Sequence, residues 1–139
     1  MIALLNAERT LYHLAFFCDS LEYLQHGGRI GLAASLVGGL LQLKPLLQIE
    51  EGQVVPFDRT RTRAKATAGL LDFAASFTRI DRLGLLYSTE ADDAESLRAA
   101  LATRCRPERT VIAQFSPVLT AHLGPGALGV CVFEGPEPI

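Results

Sequence analysis

The segment LLQIEEGQVVPF, residues 46–57, decides the architecture, because it contains two strand-like runs joined at Glu51-Gly52. An acidic residue followed by glycine between such runs is a strong signal for a β-hairpin. Short apolar runs predict further strands, near residues 14–18, 83–88, 110–115 and 127–133. Helical patterns alternate with these strands. The sequence therefore predicts an α+β fold, a two-layer α/β sandwich in which helices pack on one face of a mixed sheet.

Three segments have the apolar spacing of helices. The first covers about 62–78, and its apolar stripe contains Ala66, Leu70, Phe73, Ala74 and Phe77. The second follows Thr89, with Asp92 three residues later as in a helix N-terminus, and its stripe contains Ala94, Leu97, Ala100 and Leu101. The third covers about 29–41 and is apolar on most sides, so we expect it to be buried or to line an apolar ligand.

Composition indicates a folded chain of 139 residues, which we interpret as a single domain over 1–139. The net charge is −2, so there is no overall positive field to bind nucleic acid or an anionic membrane. The longest apolar run, 30–43, is interrupted and shorter than the roughly 20 residues that span a bilayer. Cys18, Cys105 and Cys131 are too widely spaced for a zinc site or a disulfide framework. We expect buried thiols in a reducing cytoplasm, and no metal or cofactor.

Gly27-Gly28-Arg29 is a candidate anion site. A helix that begins after two glycines presents unpaired N–H groups, and the guanidinium of Arg29 can bind a carboxylate through two hydrogen bonds. The alternative is a helix stop beside a surface arginine. Because Arg29 precedes the most apolar helix in the chain, an amphiphile such as a fatty acid suits the position.

His122 precedes Gly124-Pro125-Gly126, and we expect it on a turn where backbone approaches a ligand closely. It can donate a hydrogen bond to an oxyanion, although a histidine between two strands is as often structural. The basic run FDRTRTRAK at 57–65 either docks an acidic partner or is a solvated face. No nucleophile–base pair with an activating motif is present, so we predict no catalytic residue.

These motifs resemble the C-terminal domain of the DegV family. DSLEYLQHGGRIG at 19–31, LKP at 43–45 before the hairpin, RTRAKA at 61–66 and HLGPGALG at 122–129 follow the family's order and cover roughly residues 14–133. The resemblance implies a bacterial, cytoplasmic fatty-acid carrier that presents its acyl carboxylate to a separate ATP-dependent kinase subunit and is itself no enzyme. Family members also carry an N-terminal α/β domain, which lies outside this match.

The resemblance also implies roles for individual residues. The lipid head group is expected at Arg29 and His122, with the adjacent glycines Gly28, Gly124 and Gly126. We expect a lining for the long acyl chain on the apolar helix, from Ile30, Leu36, Val37 and Leu40. Arg61 and Arg63 are expected on the surface that meets the kinase subunit. An alternative is a ligand-free interaction or dimerisation module, an incomplete fragment of a longer protein. A DNA-binding regulator is disfavoured by the negative charge.

Overall fold

The structure, a computed structural model, describes residues 12–20, 23–24 and 44–135. Its strands are β1 Tyr12–Phe17, β2 Lys44–Glu50, β3 Gln53–Thr60, β4 Arg82–Tyr87, β5 Thr110–Gln114 and β6 Leu128–Phe133. Its helices are α1 Arg63–Ala75, α2 Asp92–Ala100 and α3 Pro117–Leu123, with a 3-10 turn at Pro107–Arg109. The predicted helix 29–41 lies outside the described residues. Within the described part, no helix is long and apolar enough to cross a bilayer.

The strands form one mixed sheet in the order β3-β2-β1-β6-β4-β5. Neighbours are antiparallel except β4 and β5, which run parallel because α2 connects them. The predicted hairpin is confirmed: Glu50 pairs with Gln53, and the turn residues Glu51 and Gly52 have φ of 50° and 78°. The two positive φ values explain why glycine is favoured at this turn.

Helix α1 begins after Thr62, whose side chain accepts a hydrogen bond from the Lys65 amide at 3.1 Å. Its buried stripe consists of Ala66, Leu70 and Ala74. Together with Ala94 and Leu97 of α2, this stripe packs on one face of the sheet, against a cluster that includes Phe17, Leu46, Leu85, Val130 and Val132. We call this face the helix face. The expected mixed sheet covered by helices on one face is confirmed by α1 and α2.

The other face of the sheet carries a second apolar cluster. Strand β1 supplies both clusters, because successive side chains alternate: Phe17 points to the helix face, whereas Phe16 points to the opposite side. There Phe16 packs with a set from several elements, Cys18, Leu24, Leu47, Val54, Phe115, Leu123 and Ala127. We call this side the groove face, and α3 covers part of it.

Two local features differ from the sequence analysis. Helix α3 was not predicted: Ser116 caps it by accepting a hydrogen bond from the Leu119 amide at 3.2 Å, and Pro117 occupies its first turn. Thr89 was expected to cap α2. The helix starts too late for that, with Ala91 at its N-cap position, and the Thr89 hydroxyl accepts a hydrogen bond from the Gly126 amide instead.

Candidate functional site

An open groove of about 590 Å³ lies on the groove face. Leu14 and Phe16 of β1 and Val54 of β3 contribute to its apolar lining. The rest of the lining comes from the β2–β3 hairpin, the residue after β5, α3 and Leu24: Ile49, Gly52, Gln53, Phe115, Leu119, His122, Leu123 and Leu24. The lining is mostly hydrocarbon, so the groove suits an apolar ligand.

His122 is the only ionisable side chain among the lining residues that the structure describes. It lies in the last turn of α3 and is half-buried. His122 was expected on a turn, but it lies within the helix, which continues to Leu123 and has Gly124 as its C-cap residue. A single ionisable side chain in a mostly apolar wall can fix the orientation of an amphiphile.

Gly124 holds the end of α3 against the segment at Tyr23. Its φ is 82°, in the left-handed region that favours glycine, and its amide donates to the Thr120 carbonyl at 2.7 Å. A Cβ at this position would overlap the aromatic ring of Tyr23. The close contact therefore requires glycine, and it fixes the backbone two residues after His122.

Gly126 belongs to an ionic network at the same end of the sheet. The Arg63 guanidinium donates to the Gly126 carbonyl at 2.6 Å, to Asp93 at 2.6 Å and to Asp19 at 3.2 Å. The Lys44 ammonium also donates to Asp19, at 3.2 Å. Gly126 has a φ of 80°, and a Cβ there would overlap the Asp19 carboxylate. Arg63 thus ties the turn at Gly124-Pro125-Gly126, which we call the glycine turn, to Asp19 after β1 and to Asp93 of α2. We call these five residues the Arg63 network.

The two arginines expected at the partner surface differ in their surroundings. Arg63 is engaged in the Arg63 network and packs its guanidinium over the Phe17 ring, 5.2 Å from the centroid. Arg61 is exposed, and within the described ranges it forms no ion pair. The assignment of both to a kinase surface stays a prediction, and of the two Arg61 is the one whose charge is available to a partner.

His122 lines the groove, Gly124 caps the end of α3, and Gly126 lies in the Arg63 network. Their assignment to a lipid head group stays a prediction. Arg29, Gly28 and the proposed lining on the apolar helix, Ile30, Leu36, Val37 and Leu40, lie outside the described residues. The groove lining from α3, β1 and β3 was not predicted. Its signal in the sequence is the alternation of β1, in which Leu14 and Phe16 share a face with period two.

The cysteines are free thiols. Cys18 and Cys105 are buried as predicted, whereas Cys131 is half-buried. Burial, and then the charge of Asp19, raises the pKa of the Cys18 thiol to about 12. Burial also raises the pKa of the Cys131 thiol. Both therefore stay protonated at neutral pH and are poor nucleophiles.

Comparison with known proteins identifies the family. The model of the family described as "Uncharacterised protein, DegV family" matches residues 2–135. A DegV domain-containing protein of Streptomyces coelicolor is 41% identical over 128 residues, which is 84% of this chain and 43% of that protein. The chain spans about half the length of the curated relatives it matches.

Solved structures of DegV family proteins share this fold. A fatty acid binding DegV family protein from Streptococcus agalactiae superposes with a TM-score of 0.85 at 25% identity, over 97% of this chain and 49% of that one. A DegV family protein from Thermus thermophilus, described by its fatty acid binding, gives 0.83 at 34% identity, over 96% of this chain and 49% of that one. From the family model, the sequence identity and the shared sheet, we conclude that this chain belongs to the DegV family.

Proposed function

We propose that this chain forms the acyl-binding half of a fatty-acid carrier, with the hydrocarbon tail in the groove and the carboxylate at His122. The observation that supports the proposal is the composition of the groove, an apolar wall interrupted by one ionisable side chain. Each CH₂ group moved from water into such a groove contributes about 0.8 kcal/mol. A long chain therefore gains most of its affinity from the tail, while His122 fixes which end points outward.

We further propose that the carrier presents the bound carboxylate to a separate ATP-dependent kinase subunit in the bacterial cytoplasm. The carboxylate oxygen attacks the γ-phosphorus of ATP, ADP leaves, and an acyl phosphate remains on the carrier. In this scheme the chain supplies binding and orientation and no catalytic group. The matched relatives are about twice as long, and we propose that an N-terminal α/β domain completes the head-group site, with Arg29 as its fixed positive charge.

The groove is tested by comparing neighbours on α3. Leu119 lines the groove, whereas Val118 is 68% exposed and does not. We expect Leu119→Asn, made in the chain joined to an N-terminal half, to weaken oleate binding about tenfold, since roughly two CH₂ equivalents of contact are lost. Val118→Asn should bind like the parent protein. Native mass spectrometry measures lipid occupancy. If no acyl chain is retained by the parent protein, or if both variants lose it equally, the groove is not the lipid site.

The head-group and kinase roles are separated by three substitutions. His122→Ala should reduce acyl-phosphate formation about tenfold to a hundredfold, because a hydrogen bond to a charged group is lost. Arg29→Ala should weaken both lipid retention and turnover. Arg61→Ala should leave lipid retention unchanged and reduce only turnover with the kinase subunit. Loss of lipid in Arg61→Ala, with normal turnover in His122→Ala, would show that the two surfaces are assigned the wrong way round.

A further inference from the structure

The two outer strands of the described sheet are protected to different degrees. Strand β3 carries Pro56 and the charged residues Asp58 and Arg59, and its ladder with β2 is interrupted by a bulge at Leu46. Each of these features discourages pairing with another strand. Strand β5, at the opposite edge, has the sequence TVIAQ, with no charge and no proline. An extended edge without such protection is a site where a further strand adds.

The hydrogen bonds of β5 show which of its backbone groups face outward. The Phe115 amide donates to the Tyr87 carbonyl of β4 at 2.7 Å. Amides along a strand alternate in direction, so those of Thr110, Ile112 and Gln114 point away from β4. In an antiparallel pair with Ile112 opposite its own counterpart, these are the residues that exchange hydrogen bonds.

We propose that a second copy of this chain pairs along β5, antiparallel about a two-fold axis at Ile112, and joins the two sheets into one. Thr110 then lies opposite Gln114 of the second copy, and Val111 opposite Ala113. Val111 is 62% exposed, so the pairing covers apolar surface. None of the opposed side chains is charged, so no like charges oppose each other along the strand.

Charge complementarity on α2 favours this partner and this direction. Asp93 faces α1, because it pairs with Arg63 at 2.6 Å. At about 100° per residue, Glu95 and Arg98 lie on the side of α2 away from α1. Because α2 contacts β4 and the edge strand β5, this side is directed towards the β5 edge. They form an ion pair at 2.6 Å. The two-fold axis relates α2 to the α2 of the second copy in an antiparallel arrangement. Glu95 of one chain is thereby brought towards Arg98 of the other chain. A parallel arrangement would oppose like charges.

Sedimentation equilibrium of the 139-residue chain tests the pairing with a matched pair of variants. Gln114→Pro and Gln114→Ala both lose the side-chain hydrogen bond to the Ser88 carbonyl. Only proline also removes the amide that points to the second copy. We expect the parent protein and Gln114→Ala to dimerise equally. Gln114→Pro should dimerise about 30-fold more weakly, because two hydrogen bonds are lost per dimer. Circular dichroism establishes that each variant is folded.

A second pair of variants tests the helix contact without altering a strand. Glu95→Arg places like charges across the axis and should weaken the dimer about tenfold or more at low salt. Adding Arg98→Glu restores opposite charges and should restore the dimer. A parent protein that remains monomeric at its highest soluble concentration overturns the proposal. So does a dimer that is unaffected by both Gln114→Pro and Glu95→Arg, since the chains would then associate through another surface.

Discussion

Replacing Arg63 by methionine tests whether this side chain supports the glycine turn or serves a partner. Methionine keeps most of the aliphatic stem but removes the guanidinium, and with it the hydrogen bond to the Gly126 carbonyl and the ion pairs with Asp19 and Asp93. Arg61→Met is the matched control, because Arg61 lies two residues away and is exposed. If Arg63 is structural, only the first substitution should destabilise the fold.

The size of the effect follows from the contacts. The hydrogen bond from a charged donor to the Gly126 carbonyl contributes about 1.5 kcal/mol. The side chains of Arg63 and Asp19 are 35% and 44% exposed, so solvent screens their ion pair, and the pair with Asp93, to about 0.5 kcal/mol each. The guanidinium over Phe17 adds about 0.5 kcal/mol. We therefore expect Arg63→Met to lower the free energy of unfolding by about 3 kcal/mol.

Urea unfolding of both variants measures the difference. A loss of about 3 kcal/mol corresponds to a fall in Tm of about 10 °C for a chain of this length. About a third of the effect is ionic and should disappear at high salt, whereas the hydrogen bond to Gly126 should persist. If Arg63→Met is as stable as Arg61→Met, the Arg63 network does not support the turn, and Arg63 is free to act at a partner surface.

Two further predictions concern buried polar groups. The pKa of Cys18 is about 12 in the folded chain against 9.0 for a free thiol, so the folded state holds its proton where the unfolded state releases it. Stability should therefore be complete below pH 9 and fall by about 1.4 kcal/mol per pH unit from about pH 9 to 12. Unfolding curves of Cys18→Ala should lack this slope, and an equal slope would contradict the assignment. Ser88 is 1% exposed, and within the described residues its hydroxyl has no hydrogen-bond partner. Ser88→Ala should therefore raise the urea midpoint, by about 1 kcal/mol in stability, and a clear loss would reveal a partner for the hydroxyl.

The elements with strong local signals are the ones that the sequence predicts. The hairpin at Glu51-Gly52 depends on two adjacent residues that accept a positive φ, and α1 on a capping residue followed by a buried stripe. Helix α3 was missed because seven residues are too few to establish a helical period. Its start was nevertheless visible, since Ser116-Pro117 combines an N-cap residue with a proline that tolerates the first turn.

The arrangement around the glycine turn has no local signal. Arg63 meets Gly126 across 63 residues and Asp19 across 44, so only the completed sheet brings them together. In the sequence, Arg63 belongs to an alternating basic run that is usual for a solvated face. His122, Gly124 and Gly126 could be selected because they are close in the chain. The residues that contact the two glycines, Tyr23, Arg63 and Asp19, are distant from them in the sequence.

The groove is lined by side chains of a central strand and by side chains of a short helix. Leu14 and Phe16 stand on β1, in the middle of the sheet, where both neighbouring strands bond to it. Leu119 and His122 stand on a seven-residue helix at its margin. Amides of β1 exchange with solvent only when the sheet opens, whereas those of a short helix exchange through local fraying. If the proposed function holds, we expect a bound tail to rest on a surface that stays fixed for as long as the protein is folded. We then expect its residence time to depend on the fraying of α3, so that release can be tuned at α3 without loosening the sheet.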